Sequence, residues 1–294
     1  MPVTVSEALS LGSARLREAG IESAAHDSEV LLRHVLGWDR ARVVAESAAA
    51  LSADAESSFL ALLAERARRR PLQHLTGIQW FWRHPFLVTP DVLIPRPETE
   101  LIVEAALGLL RGVASPVIVD VGTGSGCIAL SLAAERPDAD VLAVDSSAAA
   151  LRVARDNASR LGLGGRVRFL EGDLLEPARA LYGRIDVVTS NPPYVDPGQA
   201  AALAPEVRLH EPTAALYPPG EPYLVYRRLA PDAAAALKPG GALLLEIGQG
   251  MRDGVTRICA EAGLEVETVV PDLQGIPRAL VARKARWSPP AALP

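Results

Sequence analysis

Apolar side chains recur at helical spacing through the first part of the chain. In 30–36, for example, apolar residues return every three or four positions, as they do along one face of a helix. Strand-like alternation is absent, and Pro71 closes this part, because proline disfavours helical backbone in the residue before it. The pattern predicts a helical domain over residues 1–71, with helix starts near Ser6 and Ser52, whose hydroxyls suit the N-cap position.

The segment 72–97 has a different composition. Aromatic side chains cluster here; Gly77 precedes the cluster and Pro85 interrupts it. The aromatic residues are Trp80, Phe81, Trp82 and Phe86. Short apolar stretches between such interruptions are typical of strands, so we expect a β-hairpin that links two domains.

From residue 98 onward, helical stretches alternate with short apolar runs of strand length. The runs that predict strands are 116–121, 141–144, 167–170, 185–189, 242–247, 266–270 and 279–282. The stretches that predict helices include 128–135, 148–161, 222–237 and 250–262. This alternation predicts an α/β domain over 98–285, built on a mostly parallel, doubly wound sheet. The proline-rich residues 286–294 are expected to form a disordered tail.

A glycine-rich turn follows the first strand of this sheet, directly after Asp120. Its spacing is GxGxG, and Cys127 stands where a dinucleotide-binding fingerprint needs a third glycine, which disfavours NAD. S-adenosylmethionine has no phosphate, and its cationic groups favour nearby carboxylates such as Asp120. We expect this cofactor on the turn, with a purely structural turn as the alternative. The expected contacts are Gly122, Thr123, Gly124, Ser125 and Gly126.

Acidic residues also end the next two strands. Asp145 ends the second strand, where an acid accepts hydrogen bonds from ribose hydroxyls. Its alternative role is an N-cap for the helix that follows. Asp173 comes after the third strand and is a candidate acceptor for the adenine amino group, with an ordinary turn residue as the alternative.

The fourth strand ends in the motif Asn191-Pro192-Pro193-Tyr194. In an open α/β sheet, ligands bind at the carboxyl ends of the strands where the strand order reverses, which is usually between the first and fourth strands. The glycine turn follows the first strand and this motif follows the fourth. We therefore expect both at one crevice.

The chemistry of this motif suits a planar group that carries an NH2. Prolines lack an N–H, so the turn offers carbonyl acceptors, and the Asn191 side-chain oxygen adds another. Tyr194 supplies a flat face. Two acceptors would hold both hydrogens of an amide or aromatic amine and aim its weakly nucleophilic nitrogen at a methyl group. In-line positioning of this kind is worth roughly 7–11 kcal/mol. A structural proline turn is the alternative interpretation.

Composition narrows the choice of partners. The formal net charge is −5 and the pI is about 5.6, which disfavours a protein that grips nucleic acid through phosphates. The arginines at 68–70 are interpreted as a solvated helix end. The two cysteines and five histidines show no metal-ligand spacing, so no metal is expected. The sequence has no long apolar span, so we expect a soluble, cytoplasmic protein without a membrane partner.

The combined motifs resemble those of the bacterial peptide chain release factor glutamine N5-methyltransferases. The matching segments are 93–100 (LIPRPETE), 120–126 (DVGTGSG) and 191–194 (NPPY), with shorter matches at 207–212, 244–246 and 275–278. NPPY alone is shared with amino-group DNA methyltransferases, whereas the combination is more specific. The resemblance covers about 70–283, and the helical part is similar only in type and length.

The resemblance implies a class I, Rossmann-like methyltransferase fold with seven strands, the last one antiparallel. It implies methylation of the glutamine in the Gly-Gly-Gln motif of class 1 release factors, with S-adenosylmethionine as the cofactor. It also implies that Asn191, Pro192 and Tyr194 are catalytic, that these and Pro193 bind the glutamine, and that Asn191 also touches the cofactor. Leu174 replaces a tryptophan found in some members, leaving an apolar contact to adenine.

Further roles follow from the resemblance. The helical domain and the hairpin would bind the release factor, and direct binding of nucleic acid is not expected. We interpret Arg96 and Glu98 as salt-bridge residues of the linker rather than catalytic groups. His210 and Glu211 are expected to order a loop over the site.

Three rival functions remain at this stage. An amino-group methyltransferase of the N6-adenine type would use the same NPPY pocket on a flipped base, but it is expected to carry a basic face. A nucleotide-binding oxidoreductase is disfavoured by the GxGxG spacing. A catalytically idle adaptor is disfavoured because both motifs are intact.

Overall fold

The chain consists of two compact units. The computed structural model describes residues 3–286. The first unit comprises Met1–Ile78 together with Leu203–His210, and the second comprises Gln79–Ala202 together with Glu211–Pro294. The first unit therefore includes a short segment from far along the sequence. The predicted disordered tail, 286–294, lies outside the described residues except for Arg286.

Helices make up the first unit and flank the sheet of the second. The α-helices are α1 (Val5–Glu18), α2 (Ala24–Leu36), α3 (Arg40–Ala45), α4 (Ala53–Ala67), α5 (Leu72–Thr76), α6 (Glu100–Leu109), α7 (Cys127–Glu135), α8 (Ala148–Arg160), α9 (Pro205–His210), α10 (Thr213–Leu216), α11 (Leu224–Ala236) and α12 (Arg252–Glu261). Across residues 3–286, every helix is too short or too polar to serve as a membrane span.

The strands form a hairpin and one large sheet. They are β1 (Ile78–Phe81), β2 (His84–Leu87), β3 (Val117–Val121), β4 (Asp140–Asp145), β5 (Val167–Glu171), β6 (Ile185–Ser190), β7 (Leu237–Glu246), β8 (Leu264–Pro271) and β9 (Pro277–Lys284). β1 and β2 pair with each other.

The large sheet has the order β5-β4-β3-β6-β7-β9-β8 over the described residues. β3 to β7 run parallel to one another, and β9 runs antiparallel to both β7 and β8. Apolar clusters cover both faces of the sheet: α11 and α12 pack on one face, and α6 and α7 on the other. The predicted seven-stranded, doubly wound class I fold with an antiparallel last strand is confirmed.

The helix starts of the first unit follow local hydrogen bonding. Ser52 caps α4 as predicted, since its Oγ accepts from the Ala55 N–H at 3.2 Å. The prediction of Ser6 is wrong, because Thr4 is the N-cap of α1. Thr4 forms a reciprocal capping box with Glu7, whose carboxylate accepts from the Thr4 N–H at 2.8 Å. The capping box needs an acid three residues after the cap. Thr4 has Glu7 at that position, whereas Ser6 has Leu9.

A buried ion-pair cluster joins three helices of the first unit. Arg66 of α4 donates to Asp27 of α2 at 2.7 Å and to Glu206 of α9 at 2.9 Å. Arg69 reaches the same Glu206 carboxylate at 3.4 Å. Asp27 and Arg66 are almost fully buried. The cluster fastens α9 to the N-terminal helices.

The arginines at 68–70 are only partly a solvated helix end. Arg68 is exposed and pairs with Glu65 on the same helix. Arg69, in contrast, has a positive φ of 69°, which turns the chain, and its guanidinium donates to the carbonyls of Ala19 and Gly20. The local sequence does not show this role, because the acceptors lie about fifty positions away.

The segment 72–97 begins with a helix rather than a strand. Pro71 is the N-cap of the short helix α5, and the paired strands β1 and β2 follow it. Phe81 and Phe86 pack edge to face across the hairpin with ring centroids 6.0 Å apart. Trp82 turns the hairpin with a positive φ of 56° and is held there by Glu100, which accepts its backbone N–H at 2.7 Å.

We expect Asp27→Ala to lower the free energy of unfolding by roughly 3 kcal/mol, because it removes one of the two carboxylates that pair with the buried Arg66 guanidinium. Urea denaturation monitored by circular dichroism measures the change. Arg68→Ala is the control, since it removes only an exposed pair and should shift stability by less than about 0.5 kcal/mol. Equal effects for the two variants would contradict the importance of the buried cluster.

Candidate active site

The carboxyl ends of β3 and β6 lie side by side. Val121 is in register with Ser190, and the Ser190 hydroxyl donates to the Val121 carbonyl at 2.8 Å. The glycine turn leaves β3 at this point, and the NPPY motif leaves β6. The two motifs therefore begin next to each other at the same edge of the sheet, as the strand-order argument predicts.

The glycine turn combines open space with close packing. Gly124 has a positive φ of 56°, and a Cβ added there would meet no atom within 4 Å, so its backbone faces open space. The same holds at Gly122. A Cβ at Gly126 would instead meet Leu130 at 3.0 Å and Ala154 at 3.2 Å, so this glycine lets α7 start tightly against α8. The first part of the turn is free to border a ligand.

Asp145 braces the turn from the end of β4. Its carboxylate accepts from the Gly124 N–H at 2.8 Å and from the Ser147 N–H at 2.9 Å. Ser147, not Asp145, is the N-cap of α8, since its Oγ accepts from the Ala150 N–H at 3.1 Å. Burial raises the pKa of Asp145 above its usual value. The alternative N-cap role is thus excluded, and the ribose role stays a prediction.

Asp120 lies entirely beneath the turn. Its side chain is fully buried and accepts from the hydroxyls of Thr123 at 2.6 Å and Thr189 at 2.7 Å. Burial raises the pKa of Asp120 from 3.8 to about 6. Because both oxygens are occupied by hydroxyls of the protein, Asp120 ties the turn to β6. The sequence suggested that Asp120 faces the cationic groups of a cofactor. In the structure its carboxylate faces these two hydroxyls instead.

Asp173 and Leu174 follow β5. The Asp173 carboxylate is half exposed and pairs with Arg228 of α11. Leu174 adopts a positive φ of 48°, which is unusual for a residue other than glycine, and packs against the apolar cluster on the α11 side of the sheet. Their predicted contacts to adenine stay predictions.

The NPPY motif is tied to a buried network. Pro192 is buried, whereas Asn191, Pro193 and Tyr194 are partly exposed. The Asn191 amide nitrogen donates to Thr99 Oγ1 at 3.1 Å, and the Thr99 hydroxyl donates to the Glu246 carboxylate. The Tyr194 hydroxyl donates to the other oxygen of Glu246 at 3.1 Å. Two residues of the motif therefore converge on one carboxylate.

Thr99 and Glu246 are the site residues that sequence reasoning missed. Glu246 ends β7, directly beside β6, and only 3% of it is exposed. Burial raises the pKa of Glu246, and burial together with this carboxylate raises that of Tyr194. The sequence does contain a signal for Glu246, which is a single acid at the carboxyl end of an apolar strand. Asp120 and Asp145 occupy the corresponding position in their own strands.

Arg96 forms a salt bridge, with Glu211 as its partner. Arg96 Nη2 lies 2.5 Å from Glu211 Oε1, and Glu211 Oε2 accepts from the Ile94 N–H at 3.3 Å. Glu211 is buried, so it anchors the proline-rich segment that leads to Thr99. His210, in contrast, ends α9 in the first unit.

Family comparisons agree with this geometry. A family model described as PrmC N-terminal domain matches residues 7–77, and one described as methyltransferase small domain matches residues 100–239. The release factor glutamine methyltransferase of Cereibacter sphaeroides is 45% identical over 280 residues, which cover 95% of this chain and 98% of that protein. The chain belongs to the release factor glutamine methyltransferase family.

Two further proteins of this kind match the chain. The one from Burkholderia pseudomallei is 43% identical over 260 residues, covering 86% of this chain and 90% of that protein. A crystal structure of a release factor-specific protein-(glutamine-N5) methyltransferase from Alicyclobacillus acidocaldarius is 33% identical, with a TM-score of 0.42, and covers 68% of this chain and 99% of that one. The identity and coverage of the two sequence relatives confirm the resemblance stated from the motifs.

Asp120→Asn should change how stability depends on pH. The folded-state pKa of Asp120, about 6, lies above the value of 3.8 for a free side chain. Its contribution to stability is therefore fully present below about pH 4 and is lost as the pH rises through about 6. Relative to the non-titrating variant, wild-type protein should lose about 3 kcal/mol between these limits. Urea denaturation at several pH values measures this, and a constant difference would contradict a raised pKa.

Proposed function

We propose that the chain methylates the side-chain amide nitrogen of the glutamine in the Gly-Gly-Gln motif of class 1 peptide chain release factors. The observation that carries the proposal is the register of Val121 with Ser190, which starts the glycine turn and the NPPY motif at adjacent points. The names of the relatives support the choice of substrate. As a family member, the chain is an S-adenosylmethionine-dependent protein-glutamine methyltransferase.

The glycine turn has the features that this cofactor requires. Gly122 and Gly124 border open space, and a side chain at either position would occupy part of that space. The Asp145 carboxylate holds the Gly124 backbone by accepting its N–H. The Ser125 hydroxyl is buried, and it has no hydrogen-bond partner within the described residues. We propose that the turn, Asp145 and the segment at Asp173–Leu174 hold the cofactor. When bound, S-adenosylmethionine supplies a methyl group on a cationic sulfonium.

The NPPY motif receives the glutamine in this proposal. The Asn191 Oδ1 atom and the backbone carbonyl of Pro192 accept the two amide hydrogens of the substrate. Tyr194 packs its ring on the flat amide, and its hydroxyl stays bonded to Glu246. Occupying both N–H groups places the nitrogen lone pair toward the methyl group. The main contribution of these residues is orientation, since they supply no strong base.

In this proposal, different parts of the chain recognise the substrate and transfer the methyl group. We propose that the helical part, residues 1–71, together with the segment 72–97, binds the body of the release factor, while residues 98–285 carry out methyl transfer. Release factors act with ribosomes, so we place the enzyme in the cytoplasm. The acidic balance of the chain, with a formal net charge of −5, favours a protein substrate over nucleic acid.

Asn191→Ala should reduce turnover by about 100-fold or more, because the variant loses the acceptor that orients the substrate nitrogen. Cofactor binding, measured by calorimetry, should remain detectable. Gln199→Ala, in the exposed turn after the motif, is the control and should behave as wild type. Unchanged turnover in Asn191→Ala would refute the assigned role.

Asp145→Ala should weaken cofactor binding by about tenfold or more, since hydrogen bonds to charged groups contribute roughly 1.5–3 kcal/mol. Asp173→Ala should cause a smaller loss, because its carboxylate is half exposed. Asp140→Ala is the matched control for Asp145→Ala, because the two residues lie at opposite ends of β4. Titration calorimetry with S-adenosylmethionine measures all three, and an unaltered affinity in Asp145→Ala would contradict the ribose contact.

Substrate choice is tested directly with labelled S-adenosylmethionine. Purified class 1 release factors, DNA and RNA are offered in parallel, and the label is mapped by mass spectrometry. We expect label on the Gly-Gly-Gln glutamine and none on nucleic acid. Label on adenine amino groups would instead support the rival nucleic-acid methyltransferase.

A further inference from the structure

Buried hydrogen bonds connect the catalytic motif to one carboxylate. Thr99 and Glu246 are only 2% and 3% exposed. Glu246 accepts from the hydroxyls of Thr99 and Tyr194, one on each carboxylate oxygen, and its backbone carbonyl accepts from the Tyr226 hydroxyl at 2.8 Å. Thr99 in turn accepts from the Asn191 amide nitrogen at 3.1 Å. The bonds form one chain that runs from Glu246 through Thr99 to Asn191.

The direction of every bond in this chain follows from Glu246. Both carboxylate oxygens of Glu246 accept, one from the Thr99 hydroxyl and the other from the Tyr194 hydroxyl. Thr99 has a single hydroxyl proton, which it gives to Glu246, so toward Asn191 its oxygen acts as the acceptor. Asn191 must therefore turn its NH2 group toward Thr99. Because the oxygen and the nitrogen branch from the same trigonal carbon, the Asn191 oxygen is directed away from Thr99.

We propose that Thr99 and Glu246 are positioning residues that fix the Asn191 side chain with its oxygen, rather than its NH2 group, facing the substrate amide. This inference rests on the proposed function, because it names what orients the acceptor in that reaction. Thr99 lies 92 positions before Asn191 in the sequence, and Glu246 lies 52 positions after Tyr194. The proline-rich segment anchored by Glu211 delivers Thr99 to this position.

Loss of the chain would leave the amide free to rotate by half a turn. Asn191 would then present NH2 to the NH2 of the substrate, and two donors would face each other without an acceptor. An unpaired buried donor costs roughly 1–3 kcal/mol, which corresponds to about tenfold or more in rate. The Tyr194 hydroxyl, held on the second oxygen of Glu246, fixes the ring in the same way.

The first test compares Thr99→Val with Thr99→Ser. Valine has the shape of threonine but no hydroxyl, whereas serine keeps the hydroxyl and loses only a methyl group. We expect kcat to fall about tenfold or more in Thr99→Val and to change by less than about threefold in Thr99→Ser. The cofactor Kd and the melting temperature report any general damage. Wild-type kcat in Thr99→Val would overturn the proposal.

A double-mutant cycle separates positioning from a merely structural role. Thr99→Val should cause no further loss of kcat in an Asn191→Ala background, because it acts through Asn191. The same fold-loss in both backgrounds would overturn the proposal. Glu246→Gln should also lower kcat, since the introduced amide adds a donor where the network needs only acceptors. Single-turnover measurements keep the slow variants measurable.

Side-chain NMR tests the inference without catalysis. The NH2 signals of Asn191 are assigned by their absence in Asn191→Ala. We expect them to shift in Thr99→Val and Glu246→Gln and to stay near the wild-type position in Thr99→Ser. Unshifted signals in Thr99→Val would overturn the proposal. If the proposed function failed because wild-type enzyme left release factors unmodified, these signals would still show whether the hydrogen-bond chain exists.

Discussion

The register between β3 and β6 is the constraint on which the site depends. Val121 lies opposite Ser190, and the Ser190 hydroxyl locks that alignment by donating to the Val121 carbonyl. Because side chains alternate between the faces of a sheet, a slip of either strand by one residue would turn the side chains at its end to the opposite face. Asp120 reinforces the same alignment, since it binds Thr123 in the turn and Thr189 in the neighbouring strand. The glycine turn and the NPPY motif are thus held together at one edge of the sheet.

Acidic residues end three of the strands at this edge, and uncharged donors bind the carboxylate of each one. Asp120 and Glu246 are buried, and hydroxyl groups rather than cations approach their oxygens most closely. Asp145 receives backbone N–H groups instead. Burial raises the pKa of all three. A hydroxyl has a single proton to donate. Its hydrogen bond to a carboxylate therefore fixes the direction of the contact as well as the distance between the two oxygens. These contacts give the site a preformed geometry.

Local patterns predicted the parts of the protein that are local in origin. Strand-length apolar runs, the glycine turn and the NPPY motif were readable because each depends on a few adjacent residues. Thr99 and Glu246 were not identified as a pair, since nothing near either residue shows that they meet. Arg69 was misinterpreted for the same reason, because its acceptors lie about fifty positions away. The start of α1 was missed by two residues, because several polar residues compete as caps and only the capping box decides.

The path of the chain through the first unit limits how this protein can be divided. Leu203–His210 folds with the N-terminal helices, although the sequence on both sides of it belongs to the second unit. Glu206 secures it by accepting from Arg66 and Arg69. A cut after Ile78 would thus separate α9 from the N-terminal helices. Glu206 would lose both of its arginine partners. Modular exchange of recognition parts among relatives would require α9 to be inherited together with the N-terminal helices, as one discontinuous module.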